Sequence, residues 1–191
     1  MFASKRQAPQ TETCDVSAAV ARVMRQPSPI SSEGKGPGVV GACQHAVAVL
    51  TEALETLRVA SGKVREAAGH VIEAASAEDA ERALLAEKYD DARQSADAAL
   101  AEASEGARTL LQVGAERMTV ELKGATYAVS PFPLSTDEYG LDLPPPQHGF
   151  VSHAEVADTL RRVEIALERI GRVITVYEED MAFLRLRAAR G

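Results

Sequence analysis

The feature that most constrains this chain is a long apolar repeat near its carboxyl end. Large apolar residues recur there at alternating intervals of four and three residues: Val156, Leu160, Val163, Leu167, Ile170, Ile174, Tyr177, Met181 and Leu184. This spacing keeps one face of an α-helix apolar along its whole length. It predicts a long helix over about residues 153–188, which Ser152 and Glu155 begin as a capping box.

Two earlier segments contain the same repeat with smaller residues. Within residues 39–75 it comprises Cys43, Val47, Leu50, Leu54, Leu57, Ser61, Val64, Ala68, Val71 and Ala75. Within residues 77–118 it comprises Leu85, Tyr89, Ala92, Ala96, Ala99, Ala103, Gly106 and Leu110. Ser76 and Asp79 resemble a capping box that begins the second helix after a tight reversal, so the pair is predicted to form an antiparallel hairpin.

The predicted fold class is mainly α, an elongated bundle of three long helices. Only 4% of the residues are aromatic, and the bulky last helix is expected to pack against the alanine-rich second helix, large against small. The residues predicted to form the packing seam, or to bind a partner, are Leu50, Leu54, Leu57, Leu160, Val163, Leu167, Ile170, Ile174, Tyr177, Met181 and Phe183.

Between the second and last helices the apolar period changes from helical to alternating. Val120 and Leu122 alternate before Lys123-Gly124, and Tyr127 and Val129 alternate after it. This pattern predicts a small β-hairpin over 118–129. The alternative is that the second helix continues to Leu122.

Two segments are rich in residues that break helices. Residues 130–151 include five prolines and two glycines, so they are predicted to be a connector lying over the surface. Residues 1–38 are rich in Gln, Pro, Ser and Gly and are predicted to be a flexible tail, with at most one short helix around Val16–Met24. The helical domain is then expected to span 39–191.

Charge and hydropathy exclude several classes of protein. The formal net charge of -7 argues against binding to nucleic acid or to an anionic membrane surface. No apolar run is long enough for membrane insertion, and the amino terminus lacks the apolar core of a signal peptide. Cys14 and Cys43 do not suggest a disulfide framework, so both are expected to be reduced.

The titratable residues do not form a recognisable catalytic, cofactor-binding or metal-binding set. His148 and His153 flank the start of the last helix without other ligands at metal-binding spacing, and His45 and His70 lie one residue off the first seam. Glu178, with the two acids that follow it, is explained by a solvated helix face. The chain is therefore predicted not to be an enzyme; the remaining enzymatic hypothesis is a site under the connector, beside His148 and His153.

Three segments, in the right order, resemble parts of bacterial flagellins. The stretch from Ala75 to Gln112 resembles the second conserved helix of that family, with the turn Asp79-Ala80-Glu81-Arg82, Tyr89, Gly106 and the pair Leu110-Leu111 in matching places. The stretch from Arg117 to Leu143 looks like the flagellin hairpin and the Gly-Leu segment after it. The last helix is similar to the returning carboxyl-terminal helix, with Phe183 where flagellins commonly have a phenylalanine.

The resemblance covers roughly residues 40–187 and implies the inner, rod-like helical domain of flagellins. The terminal helices that drive filament assembly in that family have no match here, so ordinary filament assembly by this chain alone is not expected. The implied function is a structural or accessory role in the bacterial flagellum, through packing against flagellar proteins or itself. The implied location is the flagellum or the cytoplasm. The alternative is a generic helical coiled-coil adaptor or a secretion-system-associated protein.

Overall fold

The computed structural model of this chain describes residues 38–190. These residues form α1 (Val39–Ala74), α2 (Asp79–Ala101), α3 (Glu105–Leu111), β1 (Met118–Leu122), β2 (Ala125–Val129) and α4 (His153–Arg190). The predicted fold class, mainly helical with a small β-hairpin, is confirmed. Gly38 apart, the predicted tail 1–38 lies outside the described residues, as do its candidate helix at Val16–Met24 and Cys14.

Helix α1 is the element on which the others assemble. It has 36 residues, which corresponds to a length of about 54 Å. It packs against α2, α3, α4 and β1, and Leu50, Leu54 and Leu57 on it are almost completely buried. An apolar stripe wide enough to meet neighbours on more than one side explains why α1 is so extensively buried.

The predicted single helix over 77–118 is wrong, because the chain breaks between α2 and α3. Ser104 caps α3: its Oγ accepts a hydrogen bond from the Ala107 amide at 3.1 Å. The same hydroxyl donates to Glu52 Oε2 of α1 at 2.6 Å. A serine cap that is also hydrogen-bonded to the neighbouring helix stabilises the start of a new helix. The spacing of the apolar residues gives no sign of this helix start.

The two predicted capping boxes have different outcomes. Ser76 does not cap α2: the helix begins two residues later than that box requires, with Glu78 at the cap position and no side-chain cap hydrogen bond. At α4, Ser152 Oγ accepts from the Glu155 amide at 3.1 Å, as predicted. The Glu155 carboxylate, however, accepts from the amides of Gln147 and His148 instead of completing the box.

The β-hairpin is present, so the alternative of a helix through Leu122 is wrong. Strands β1 and β2 pair antiparallel, with Val120 opposite Tyr127 and Leu122 opposite Ala125. The two-residue turn between them contains Gly124 at φ +76°, a conformation that glycine adopts without steric cost.

The connector between β2 and α4 does not simply lie over the surface. Its buried side chains are Phe132, Leu134, Thr136, Leu141, Leu143 and Phe150. The amides of Phe132 and Leu134 donate to the carbonyls of Leu110 and Leu111 at the end of α3, both at 2.8 Å. The connector is therefore a packed layer of the core that also satisfies carbonyls left open at a helix end.

The prediction that the bulky last helix packs against the alanine-rich second helix is also wrong. Helices α2 and α4 both pack on α1 and barely touch each other. The connector occupies the space between them: Phe150 packs on Tyr89 of α2 with ring centroids 5.5 Å apart, and the Tyr89 hydroxyl donates to the Pro144 carbonyl at 3.0 Å. Helix α2 thus contacts the connector where contact with α4 was predicted.

Replacing Gly140 tests whether the connector fold depends on a close backbone approach. A Cβ at this position would overlap the Ser135 carbonyl oxygen, which accepts from the Leu141 amide at 2.7 Å. We expect Gly140→Ala to lower the free energy of unfolding by about 1–3 kcal/mol in urea titrations. The matched control is Gly62→Ala in α1, where a Cβ meets nothing within 4 Å and a gain of about 0.5–1 kcal/mol is expected. Equal stabilities for the two variants would contradict this account.

Candidate packing surface

The apolar repeat of α4 separates into two rows with different burial. Every seventh residue from Val156 is buried, a row that comprises Val156, Val163, Ile170, Tyr177 and Leu184. The other row of the repeat is half-buried and comprises Leu160, Leu167, Ile174 and Met181. We call these four residues the outer row. Helix α4 therefore uses one row inside the fold and leaves the other partly open to solvent.

One flank of α4 is covered by the connector and the hairpin. The Tyr177 hydroxyl donates to the Ser130 carbonyl at 3.0 Å. Arg169 donates to the Gly140 carbonyl at 2.7 Å and stacks over Phe132. These contacts cover the flank of α4 opposite to the outer row.

The outer row borders α1, and two contacts identify the α1 face concerned. The Thr51 hydroxyl donates to Met181 Sδ at 3.5 Å. Arg58 forms an ion pair with Glu178 at 2.8 Å, with both side chains about half exposed. Residues spaced three, four or seven positions from these lie on the same helix face.

Three helical glycines fall on these faces by that spacing. Gly62 is four residues after Arg58, Gly69 is seven residues after Gly62, and Gly171 is seven residues before Glu178. A Cβ added at any of the three would meet nothing within 4 Å. We call the surface made by the outer row and these three glycines the outer groove.

The glycines of the outer groove have no packing role inside the described fold. Glycine within a helix costs about 0.5–1 kcal/mol relative to alanine. Gly106 has close neighbours, since a Cβ there would lie 2.5 Å from Glu52 Oε2 and 3.4 Å from a methyl group of Val49. At the three outer-groove positions there is open space instead, which leaves room for a second molecule to approach the backbone closely.

The predicted seam residues lie in three places: the core, the outer groove and the contact between α4 and the hairpin. Leu50, Leu54, Leu57, Val163, Ile170 and Tyr177 are buried in the core. Leu160, Leu167, Ile174, Met181 and Phe183 are half-buried. Phe183 faces the hairpin, stacked on Tyr127 with centroids 4.5 Å apart. Sequence reasoning missed the groove glycines, although the seven-residue interval between Gly62 and Gly69 would have revealed their shared face.

A half-buried acid and a tyrosine attach the hairpin to α4. The Tyr127 hydroxyl donates to the Asp180 carboxylate. Burial raises the pKa of Asp180 above its usual range, while the hydrogen bond from Tyr127 lowers that pKa and Glu179 raises it further. Burial also raises the pKa of the Tyr127 hydroxyl and, on α2, that of Tyr89 to about 12.

The residues considered for catalysis or metal binding are dispersed. Within residues 38–190 no group of three or more His, Cys, Asp or Glu side chains is arranged to hold a metal ion. His153 Nε2 lies 3.5 Å from the Arg82 guanidinium, His148 and His45 are exposed, and Cys43 is buried in the core.

The cavities provide no support for a site beside His148 and His153. An open cavity of about 780 Å³ lies between α2 and the connector, and a smaller one of about 150 Å³ lies at the tip of the hairpin. Neither histidine lines either cavity. Among the described residues, no helix combines the length and apolar character needed to cross a membrane.

Comparison with known proteins identifies the architecture. No protein-family model and no curated protein matches this chain. The crystal structure of Bacillus cereus flagellin is similar to it with a TM-score of 0.67 and 14% sequence identity, and the match covers 84% of this chain and 94% of that one. The fold is flagellin-like. At this identity the likeness establishes the fold alone, which is the fold that the resemblance in the sequence implied.

Neutralising Asp180 tests the cost of its burial in this flagellin-like fold. Because the pKa is raised on folding, the folded state holds the proton more tightly, and stability is lost as the pH rises through the folded pKa. D180N is expected to raise Tm at pH 7, and the gain should shrink as the pH falls from 7 through the raised pKa of Asp180 towards about 4, the value for an unfolded chain. Thermal melts of the wild type and D180N between these pH values measure it. E164Q, at an exposed position on the same helix, is the control, and a pH-independent gain for D180N would contradict the prediction.

Proposed function

We propose that this chain is a flagellin-like structural or accessory protein of the bacterial flagellum. It acts by packing helical surface against another flagellar protein or a second copy of itself, and not by catalysis. No cofactor or metal has a part in this proposal, nor does nucleic acid. The flagellum is the proposed location, with the cytoplasm as the alternative.

The observation that carries the proposal is the fold likeness to a flagellin over nearly the whole of both chains. The match includes 94% of the Bacillus cereus flagellin chain, so it is not limited to a shared pair of helices. The order of elements also supports it, because a β-hairpin and a connector separate the helical hairpin from the last helix.

The outer groove supports packing as the mode of action. It presents half-buried apolar side chains of α4 beside glycines of both α1 and α4. A helix that approaches such a surface buries apolar area while its backbone comes close at the glycines. The Arg58–Glu178 ion pair at one end is exposed, so it can reorganise on binding at little cost.

Leucines introduced at the glycines should block the groove without weakening the fold. The double variant Gly62→Leu with Gly171→Leu places new side chains where the structure has open space, and leucine favours the helix more than glycine does. Co-sedimentation with filament and hook fractions from the bacterium that encodes the chain measures binding. We expect the wild type to sediment with at least one fraction and the double variant to lose at least tenfold in affinity, about 1.4 kcal/mol.

A matched control introduces two leucines on a different helix. Ala83→Leu with Ala98→Leu changes two exposed positions of α2 and should bind like the wild type. A wild-type protein that stays in the supernatant with every flagellar fraction would contradict the flagellar role. If it also self-associated in light scattering, the generic adaptor would be favoured. Equal binding by the groove variant would exclude the outer groove as the contact.

A further inference from the structure

The small cavity at the tip of the hairpin is built from three separate parts of the chain. Val39 comes from the first turn of α1, Leu122, Lys123 and Ala125 come from the hairpin, and Arg187 and Arg190 come from the last turn of α4. We call it the hairpin-tip cavity. Its volume is about 150 Å³, and a cavity of this size with aliphatic walls accommodates a benzene ring.

The hairpin supplies the apolar wall of this cavity. Leu122 and Ala125 are the last cross-strand pair before the turn, so their side chains lie on the same face of the ribbon. Both line the cavity together with Val39. Gly124, at φ +76°, allows the two-residue turn that brings Lys123 to the same opening.

The remaining lining side chains are cationic, and aromatic stacking positions one of them. The Arg187 guanidinium lies 5.2 Å from the centre of the Phe183 ring. Phe183 in turn stacks on Tyr127 of the hairpin. A guanidinium held against a fixed ring loses less conformational entropy when it binds a ligand.

Among the described residues that line the hairpin-tip cavity there is no Asp or Glu, although the chain as a whole has a net charge of -7. The sequence contains no Asp or Glu between Val39 and Thr51, and none between Met181 and Arg190. The dipole of α4 accounts for arginines in its last turn. Lys123 at the same opening belongs to the hairpin, so the positive charge around the cavity comes from two separate parts of the chain.

We propose that the hairpin-tip cavity binds a carboxylate attached to an apolar group about as large as a benzene ring. The apolar group would lie against Val39, Leu122 and Ala125. The carboxylate would accept hydrogen bonds from Arg187 and Arg190, for which the planar guanidinium offers a paired geometry. Two sources share this chemistry: a small aromatic acid, and the carboxyl-terminal residue of a polypeptide. This site is independent of the outer groove and of the flagellar role.

The test compares benzoate with benzamide, a neutral molecule of nearly the same shape, on the full 191-residue chain. We expect benzoate to produce saturable shifts in the amide NMR signals of residues 122–125 and 187–190. Benzamide should bind at least tenfold more weakly, and added salt should weaken benzoate binding. Equal binding of the two molecules, or no saturable shift up to tens of millimolar benzoate, would overturn the proposal.

Variants at the end of α4 test whether its two lining arginines bind the carboxylate of benzoate. R187Q combined with R190Q should lower benzoate affinity at least tenfold, whereas R185Q, an exposed arginine in the same part of α4 that does not line the cavity, should leave it unchanged. Circular dichroism checks that both proteins remain folded. An unchanged benzoate affinity in the double variant would overturn the assignment.

Two dipeptides ending in phenylalanine distinguish the sources of the carboxylate. One has a free carboxyl terminus and the other is amidated. Binding of the free form alone supports a polypeptide carboxyl terminus as a ligand, and binding of benzoate without either dipeptide supports a small acid. Binding of the amidated form as tightly as the free form would contradict recognition of a carboxylate.

Discussion

The structure depends first on the burial of α1. Most of the stability of a helix in a protein comes from neighbours that cover its apolar face. Here those neighbours come from the rest of the chain: α2 and α3 on one side, α4 on the other, and β1 near its beginning. Because α2 and α4 barely touch, each is placed mainly by what it buries against α1.

The space that α2 and α4 leave between them explains the importance of the connector. Its proline-rich backbone cannot form a helix, yet it delivers aromatic and leucine side chains to the core and is fixed by side chains of α2. The Asp97 carboxylate accepts from both the amide and the hydroxyl of Thr136, at 2.8 and 2.6 Å. A segment without regular secondary structure is in this way held by buried side chains and hydrogen bonds.

Apolar periodicity was enough to predict the two longest helices and the hairpin, because in each the buried positions follow the period of the element. It did not predict the break before α3, since that depends on a hydrogen bond from Ser104 to Glu52, which is 52 residues away in the sequence. The burial of the connector was not predicted, because its prolines exclude a helix but do not indicate whether the side chains between them are buried or exposed. For the candidate site, the apolar repeat in the sequence includes the residues of the outer row. Only the structure shows that there is open space next to the three glycines.

The hairpin has a consequence for the order in which this chain acquires structure. A two-stranded ribbon is at best marginally stable by itself, and the contacts of Tyr127 are with Asp180 and Phe183, more than fifty residues further along the chain. During synthesis the hairpin therefore leaves the ribosome well before its support exists. The side of α1 that faces α4 also stays exposed until α4 has been synthesised. Folding of this chain is completed from its carboxyl end, with the last turns of α4 stabilising segments that were made much earlier.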